Sequence, residues 1–369
     1  MSLNALHTPC LLLDKKKLLT NIGRLNTHLA QFDVRLRPHL KTLKSVDAAR
    51  YMLEDTSAPC TVSTLEEVKQ FAQAGFTDIT YAVGISEHKL PEILDIQNQG
   101  VTLHILLDSF EQAQFVHAFC QDNGCKLSCL IEIDCDGKRA GIAPEDPQLI
   151  AVGKILASGG LYSGLLTHAG GSYECNSLDE IRAMAQQEQN AVRDAASRLS
   201  AQQIDSAIIS VGSTPTAMLG DGFEQITEVR AGVYASMDLV MAGLGVCRSQ
   251  DIALSVLTRV IGHNREKNWL ILDAGWMALS RDTGIASLQY GYGLVCDEAG
   301  HVIPELCVNS VNQEHGIVAL PEGLDLSHFA IGTLLRILPN HACATAAQHA
   351  GYQVIFDDEM DYWPRFGGW

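Results

Sequence analysis

The chain has 369 residues, of which 47% are hydrophobic and 19% are charged, and its formal net charge at pH 7 is -17. This length and apolar content predict a folded protein with more than one domain and exclude a globally disordered chain. The negative charge argues against a nucleic-acid partner, because phosphates bind basic surfaces. No run of about eighteen apolar residues is present to cross a membrane. The N-terminus lacks a signal-peptide pattern and the eleven cysteines are scattered, which favours a cytoplasmic location.

The first predicted strand, residues 34–41, has its polar and apolar side chains on opposite faces. Its aliphatic residues share one face, and the other face carries Arg35, Arg37, His39 and Lys41. In a barrel, such a strand would end with the Lys41 amine at the rim of the central cavity. A solvated edge strand is the competing interpretation, because most lysines and arginines lie on protein surfaces.

Further β-rich segments follow, and segments with helical spacing separate them. The predicted strands are residues 60–63, 78–83, 102–107, 127–135, 162–168, 207–211 and 226–234, and the clearest helices are 65–74, 110–121 and 178–199. Eight strands that alternate with helices predict a (β/α)8 TIM barrel, which we place at residues 15–245.

The pattern changes after the barrel. The segments 252–261, 268–272, 301–308 and 316–320 have strand character and little helical periodicity. They predict a second, mainly-β domain over residues 246–369. Residues 1–14 are a candidate for an extra strand of this domain.

Two glycine-containing segments follow the last barrel strands, where barrels commonly bind a phosphate. Gly212-Ser213-Thr214 follows strand seven and Gly232-Val233 follows strand eight, so backbone N–H groups and hydroxyls are available. For either segment alone, a tight turn that uses only the freedom of glycine is the alternative. A lysine at one strand end and a phosphate site at another indicate pyridoxal phosphate, which needs an amine for its aldehyde and an anion site for its tail.

Five segments in this order give a specific resemblance: RPHLKTLKS, THAGGSY, VGSTPT, EVRAGVY and PNHACAT. Together they resemble the D-threonine aldolase and D-serine dehydratase family of fold-type III pyridoxal phosphate enzymes, and more distantly alanine racemase. The resemblance implies that Lys41 carries the cofactor and is the catalytic residue. It also implies that Arg139 reaches the phenolic oxygen of the cofactor and that His168 packs against the pyridine ring. Tyr173 and Tyr234 complete the implied cofactor-binding set.

Arg230 resembles the arginine that faces the pyridine nitrogen in alanine racemase. An arginine there would disfavour a protonated ring and weaken the electron sink, and many dehydratase and aldolase relatives lack it. An ion pair with Glu228, which has the same strand parity, is the competing role. Lys44 is expected in the loop after the first strand as a surface charge.

A His-x-Cys pair lies near the C-terminus, in Pro339-Asn340-His341-Ala342-Cys343. In an extended segment His341 and Cys343 would point the same way and bind one borderline-soft cation, with positions left for water or substrate. Core packing is the alternative for such a pair considered alone. The resemblance implies the zinc pair of the D-serine dehydratase branch, with Mn²⁺ as another candidate, whereas aldolase relatives more often have His-x-Asp. His349 is expected at an exposed helix position.

These implied parts predict a dehydratase, or ammonia-lyase, of a β-hydroxy D-amino acid such as D-serine or D-threo-3-hydroxyaspartate. Lys41 would remove the α-proton and the metal would assist loss of the β-hydroxyl. The alternatives are a D-threonine aldolase, an amino-acid racemase and a non-catalytic pyridoxal phosphate carrier. The resemblance also implies a homodimer, with the segments 273–280 and 313–316 near the active site or the subunit contact.

Overall fold

The structure is a computed structural model that describes residues 3–285 and 288–369. Met1 and Ser2 lie outside the described residues. They belong to the N-terminal segment in which we expect no signal peptide. The chain divides into two compact units. One comprises residues 1–23 and 233–366, and the other comprises residues 24–232 and 367–369. No helix in the described residues is both long and apolar enough to cross a bilayer.

The strands and helices are numbered in chain order. The strands are β1 (Cys10–Asp14), β2 (Arg35–Leu36), β3 (Cys60–Val62), β4 (Asp78–Gly84), β5 (Thr102–Leu107), β6 (Ser128–Ile133), β7 (Tyr162–Thr167), β8 (Ile208–Val211), β9 (Glu228–Val229), β10 (Leu254–Asn264), β11 (Trp269–Leu272), β12 (Leu294–Cys296), β13 (Val302–Cys307), β14 (Ser310–Val311), β15 (Gly316–Ala319), β16 (Leu334–Leu338), β17 (Gly351–Phe356) and β18 (Glu359–Pro364). The helices are α1 (Lys15–Leu29), α2 (Val46–Met52), α3 (Leu65–Gln73), α4 (Leu90–Gln97), α5 (Phe110–Asn123), α6 (Pro147–Ser158), α7 (Leu178–Ser200), α8 (Thr214–Leu219), α9 (Leu239–Gly243), α10 (Trp276–Leu279) and α11 (Ala342–Ala346).

The unit of residues 24–232 contains a parallel sheet, which has eight strands within the described residues. Neighbouring strands follow the order β2-β9-β8-β7-β6-β5-β4-β3. The gap between β2 and β3 is closed by a bridge between His39 and Thr61. There Leu40 N–H donates to the carbonyl of Thr61 and Thr61 N–H donates to that of Pro38, each at 2.8 Å. The sheet is therefore a closed barrel, and the predicted (β/α)8 fold is confirmed.

Local capping explains why three barrel helices begin at the predicted residues. The side chains of Thr64, Ser109 and Ser177 accept hydrogen bonds from backbone N–H groups in the first turns of α3, α5 and α7. Each bond satisfies an N–H group that has no partner inside the helix. Buried aliphatic side chains also pack between neighbouring strands of the barrel, as in the cluster of Leu106, Leu130 and Leu166 on β5, β6 and β7.

A buried polar network crosses the interior of the barrel. Arg37, whose side chain is 1% exposed, donates to Glu228 at 2.7 Å and to Asp78 at 2.6 Å. Asp78 also contacts His104 Nε2 at 3.3 Å, and His104 Nδ1 lies 2.6 Å from the hydroxyl of Ser128. Because Asp78 and Glu228 begin strands on different sides of β2, the Arg37 side chain lies inside the barrel and links them.

The first barrel strand is shorter than predicted, and Lys41 does not lie within it. Regular strand pairing covers only β2. Beyond it, the backbone N–H of Arg37 still donates to the carbonyl of Val229 and that of His39 donates to the carbonyl of Ala231, each at 2.8 Å. A turn follows, closed by a bond from Lys44 N–H to the carbonyl of Leu40 at 2.9 Å. Lys41 therefore stands in the turn directly after the strand. The predicted strand 226–234 is likewise reduced to β9.

The unit that contains residues 233–366 is mainly β, as predicted. Its sheet has the order β13-β12-β16-β10-β1-β17-β18, and β11, β15 and β14 extend it from β10. β1 pairs antiparallel with β10 and parallel with β17. The strands β16, β17 and β18 were not predicted. β16 is buried along its whole length, so it lacks the alternation of polar and apolar residues that reveals a half-exposed strand.

Candidate active site

Two lysines stand in the turn after β2, and the structure distinguishes them. Lys44 has a positive φ of 44°, and its amine lies 3.0 Å from the carboxylate of Glu67, which is 1% exposed. The expectation that Lys44 is a surface charge is therefore wrong. Lys41 is exposed, and its amine forms no ion pair with any described residue. Lys41 is thus the lysine of this turn whose amine is available for covalent chemistry.

Lys41 lies close enough to two imidazoles to affect their protonation. Burial lowers the pKa of His39 well below its usual value, and the charges of Lys41, Arg230 and His168 lower it further. Burial also lowers the pKa of His168 to about 3; a bond to the carbonyl of Gly212 raises it, and the charges of Arg230, Arg139 and Lys41 lower it. The structure therefore brings together four of the predicted site residues, and both imidazoles are neutral at pH 7.

His168 is held in one orientation at the carboxyl end of β7. Its Nδ1 lies 2.8 Å from the carbonyl oxygen of Gly212, which can only accept. The proton therefore resides on Nδ1, and Nε2 remains an acceptor. Tyr173 is a near neighbour, with its ring centroid 6.4 Å from that of His168. A neutral, fixed and largely buried ring of this kind can pack against a planar cofactor.

Arg230 is 4% exposed and lies among hydrogen-bond acceptors. Its guanidinium donates to Ser210 Oγ at 2.6 Å and to the carbonyl of Thr167. Ser210 Oγ in turn donates to Glu228 at 2.7 Å, while the other carboxylate oxygen of Glu228 accepts from Arg37. The competing role predicted for Arg230 was an ion pair with Glu228. In the structure this interaction is indirect, because the hydroxyl of Ser210 lies between the two side chains.

Arg139 occupies the loop after β6. Its side chain is 62% exposed and lies 3.1 Å from the nearly buried carboxylate of Glu132. The loop itself is shaped by Asp134, whose side chain accepts the backbone N–H groups of Asp136 and Gly137 at 3.0 and 2.7 Å. The guanidinium is therefore tethered at one end and open to solvent at the other.

The segment after β8 has the features of an anion site. Ser213 caps α8 by a reciprocal pair of bonds with Thr216. The hydroxyl of Thr214 is buried and has no hydrogen-bond partner among the described residues, although a buried hydroxyl normally has one. An anion at the start of α8 would provide that partner. These residues therefore fit the phosphate of the predicted cofactor.

Two glycines permit close approaches of the backbone around this segment. Gly212 has a φ of 138°, and a Cβ there would lie 2.0 Å from the backbone oxygen of Arg230. A Cβ at Gly232 would lie 3.3 Å from both Cβ and the carbonyl oxygen of His39. The absence of side chains thus lets β8 approach β9, and lets the chain after β9 approach the turn that carries Lys41.

Glu188, on α7, was missed by the sequence analysis. Its carboxylate is 1% exposed and accepts the backbone N–H groups of Ala169 and Gly212, each at 2.9 Å. Burial raises the pKa of Glu188 despite these bonds. Glu188 therefore holds Ala169, the residue after His168, close to Gly212, the residue before Ser213. A signal was present, because Glu188 falls on the buried stripe of α7 formed by Ile181, Ala185, Val192, Ala195 and Leu199.

In the other unit, the predicted metal pair is assembled at the start of α11. His341 is the N-cap residue and Cys343 lies in the first turn, so the interpretation of an extended segment is wrong. The imidazole is nevertheless hydrogen-bonded to the Cys343 thiol, and its Nδ1 lies 2.6 Å from Asp282. The Asp282 bond and then the Cys343 bond raise the pKa of His341 to about 10, against the effect of burial. The surroundings thus favour positive charge.

The donor set of this pair fits a metal with open coordination positions. No group of three or more His, Cys, Asp or Glu side chains in the described residues is arranged to hold a metal. A site made of one imidazole and one thiol suits a borderline-soft cation such as Zn²⁺ and leaves positions for water or substrate. His349 is not part of this donor set, because its Nε2 lies 3.0 Å from the carbonyl oxygen of Ala278. His349 follows α11 and is half-buried, which differs from the expected exposed helix position.

The remaining predicted residues belong to this same unit. The carbonyl of Val233 accepts a bond from Met237 at 2.7 Å. Tyr234 is fully buried, and its hydroxyl has no hydrogen-bond partner among the described residues. His315 is exposed, and its carbonyl closes a turn by accepting from Asn312 N–H at 2.8 Å. A cofactor-binding role of Val233 and Tyr234 stays a prediction.

Two family models match the chain. They are "Alanine racemase, N-terminal domain" over residues 13–239 and "Putative serine dehydratase domain" over residues 253–355. The D-threo-3-hydroxyaspartate dehydratase of Delftia sp. (strain HT23) is 45% identical over 377 residues, which cover 100% of this chain and 99% of that protein. The D-serine dehydratase of Dictyostelium discoideum is 28% identical over 385 residues, covering 97% and 95%. A solved structure of a D-threo-3-hydroxyaspartate dehydratase with a cysteine-to-alanine mutation, in the metal-free form, has a TM-score of 0.97 at 44% identity and covers 100% of both chains.

Proposed function

The chain belongs to the alanine racemase-like family that carries a serine dehydratase domain, and from this membership we propose that it is a pyridoxal phosphate- and metal-dependent dehydratase of D-threo-3-hydroxyaspartate. It is a lyase that acts on a β-hydroxy D-amino acid. The full-length similarity to the Delftia dehydratase supports the substrate class. The observation that carries the chemistry is the turn after β2, where Lys44 is paired with Glu67 and the Lys41 amine has no ion pair with any residue that the structure describes.

The barrel residues would divide the work of binding the cofactor. Pyridoxal phosphate, when bound, withdraws electrons from the α-carbon of an attached amino acid and so makes the α-hydrogen acidic. Lys41 Nζ would hold the aldehyde of the cofactor and would serve as the base for the substrate α-proton. Ser213 and Thr214 bind the phosphate, and His168 supports the ring.

Two arginines would act on the polar edges of the cofactor. Arg139 donates to the phenolic oxygen. Arg230 would face the pyridine nitrogen and keep it unprotonated, because a guanidinium remains charged in proteins. The hydrogen bonds that Arg230 makes to Ser210 and Thr167 hold it in the barrel wall. This arrangement would limit electron withdrawal by the ring, so loss of the β-hydroxyl needs assistance from another group.

We propose that this assistance comes from a divalent cation, most simply Zn²⁺, held by His341 and Cys343. A thiolate and an imidazole are preferred zinc ligands, and a site with few protein ligands keeps positions open for an oxygen of the substrate. Such a cation would act as a Lewis acid toward a hydroxyl oxygen. The metal-free form of a cysteine-to-alanine mutant of a similar D-threo-3-hydroxyaspartate dehydratase supports a cysteine ligand, which is the role proposed for Cys343.

Substrate and product analysis tests the reaction class. With D-threo-3-hydroxyaspartate, loss of the β-hydroxyl and hydrolysis of the resulting enamine release oxaloacetate and ammonia. D-serine and D-threonine serve as comparison substrates in the same assay. Release of glycine with glyoxylate would instead show an aldolase, and appearance of the mirror-image amino acid would show a racemase. Either result would replace the proposed dehydratase function.

A pair of lysine variants tests the catalytic assignment. We expect Lys41→Ala to lose the visible absorbance of lysine-bound pyridoxal phosphate and to stop exchange of the substrate α-hydrogen with solvent deuterium. Lys44→Ala, in the same turn, should keep both, with circular dichroism verifying that each variant is folded. If the absorbance were retained in Lys41→Ala and lost in Lys44→Ala, the assignment would pass to Lys44.

We also propose that the enzyme is a homodimer in a reducing cytoplasm. The resemblance to fold-type III enzymes supports the dimer. All eleven cysteines of the sequence are free thiols in the structure, which supports the reducing compartment. Sedimentation equilibrium measures the subunit number directly, and a monomer at micromolar concentration would contradict the dimer.

A further inference from the structure

A carboxylate that no motif indicated lies against the proposed metal-binding histidine. Asp282, in the loop after α10, places Oδ2 2.6 Å from His341 Nδ1. The two side chains are 36% and 42% exposed, so the pair lies at a surface accessible to ions. His341 and Asp282 are 59 residues apart in the sequence, and only the fold of this unit brings them together.

The loop holds Asp282 in a single orientation. Its backbone N–H donates to Ser280 Oγ at 3.0 Å, and its Oδ1 accepts the N–H of Gly284 at 2.8 Å. Ser280 is 8% exposed and has a φ of 74°, a conformation that non-glycine residues seldom adopt. Because Oδ1 and the backbone are bound within the loop, Oδ2 is the atom left to meet the imidazole.

The contact determines which nitrogen of His341 can bind a cation. A carboxylate is an acceptor, so the proton of the neutral imidazole resides on Nδ1 and the lone pair resides on Nε2. The ring also has a hydrogen bond with the Cys343 thiol. The backbone between the two ligands is also held, since the N–H of Ala342 donates to the buried carboxylate of Asp238 at 2.9 Å.

We propose that Asp282 is a positioning residue that fixes the tautomer and ring orientation of His341, so that Nε2 and Cys343 Sγ bind one divalent cation. This inference rests on the metal pair of the proposed function. Metal-binding histidines generally donate their second ring N–H to a carboxylate or carbonyl, and loss of that partner weakens metal binding about 10–100-fold. Asp282 acts through the imidazole, because its Oδ2 bonds His341 Nδ1 and its Oδ1 bonds the N–H of Gly284.

Metal affinity of the pyridoxal phosphate-loaded protein tests this role. In competition with a chromogenic chelator, Asp282→Ala should bind Zn²⁺ about 10–100-fold more weakly than the unaltered protein. Asp282→Asn keeps an oxygen acceptor for Nδ1–H, and we expect it to lose only a few-fold. The matched control is Asp297→Ala, which removes an exposed contact of the same kind, 3.2 Å from His301 Nδ1, and should leave Zn²⁺ affinity unchanged.

The absorption spectrum of the Co²⁺-loaded protein separates positioning from ligation. At saturating Co²⁺, Asp282→Ala should keep the thiolate charge-transfer and d–d bands of the unaltered protein, because the ligand set is the same. Unchanged Zn²⁺ affinity of Asp282→Ala would overturn the inference. Altered Co²⁺ bands, with Asp282→Asn as weak as Asp282→Ala, would make Asp282 a ligand and also overturn it.

Two further variants distinguish a failure of this inference from a failure of the proposed function. His341→Ala and Cys343→Ala should each abolish stoichiometric Zn²⁺ binding. If both retained it, the metal pair itself, and with it the proposed metal-assisted reaction, would be wrong. If both lost it while Asp282→Ala did not weaken binding, only the positioning role would be rejected. Asp282→Ser provides a second variant for the same measurement should Asp282→Ala fail to fold.

Discussion

Replacing Arg37 with methionine tests whether the buried network stabilises the barrel by compensating charge. Arg37 and Glu228 are each 1% exposed and lie 2.7 Å apart, so Arg37→Met leaves the Glu228 carboxylate buried without its cation. Breaking a buried pair in this way costs about 3–5 kcal/mol. The second partner adds little, because Asp78 is 29% exposed and keeps His104. We therefore expect Arg37→Met to lower the free energy of unfolding by about 4 kcal/mol.

A second substitution separates uncompensated charge from lost packing. Glu228→Gln in the Arg37→Met background removes the buried charge and still accepts the hydrogen bond from Ser210. A buried ion pair replaced on both sides is often nearly neutral for stability. We expect the double variant to recover most of the lost stability and to lie within about 2 kcal/mol of the unaltered protein.

Urea unfolding, followed by circular dichroism, measures these free energies from the midpoint and slope of the transition. Arg182→Met is the control, because Arg182 and its partner Asp179 are 52% and 93% exposed, and such a pair contributes less than about 1 kcal/mol. Two results would refute the reasoning. One is an Arg37→Met variant as stable as Arg182→Met, and the other is a double variant no more stable than Arg37→Met alone.

Three further predictions concern the barrel. Thr214→Val, which removes the unpartnered hydroxyl, should weaken binding of pyridoxal phosphate about 10–100-fold with no loss of stability, as equilibrium dialysis and urea unfolding can check. Gly212→Ala should prevent correct folding or strongly lower the free energy of unfolding, because a Cβ at Gly212 would lie 2.0 Å from the backbone oxygen of Arg230. Gly23→Ala is the control and should not lower it, because a Cβ at Gly23 would enter open space. Burial favours a high pKa for Asp78, but His104 and Arg37 lower it to about 2, below its usual value, so its stabilisation should be complete above about pH 4 and disappear as the pH falls toward 2. An acid titration of unfolding should show this loss, and Asp78→Asn should remove it.

The sequence predicted those elements whose signals are local. Helices α3, α5 and α7 begin at the predicted residues because each follows a serine or threonine whose side chain caps the first turn. Strand β5 matches its predicted bounds because a run of apolar residues is covered on both faces. Such signals need only neighbouring residues, so a pattern in the chain is enough to find them.

Predictions failed where a distant partner determined the conformation or the role of a residue. Lys44 was expected on the surface, yet Glu67 binds its amine. Cys343 was expected in an extended segment, yet the chain turns into α11 after His341. Glu188 had no motif around it, although its position on the buried stripe of α7 is visible in the sequence. For Lys44 and Glu188 the deciding contact comes from another element.

By itself, the sequence determined the alternation of strands and helices, the mainly-β character of the second unit and the segments that carry Lys41, His168, Ser213 and Thr214. Only the tertiary structure decided that Arg37 joins Asp78 to Glu228 across the barrel and that Asp282 meets His341. The physical reason is that these ion pairs and hydrogen bonds link residues 41, 191 and 59 positions apart. Their formation requires a closed barrel or a folded sheet, whereas a helix cap or a run of buried residues is set by neighbours along the chain.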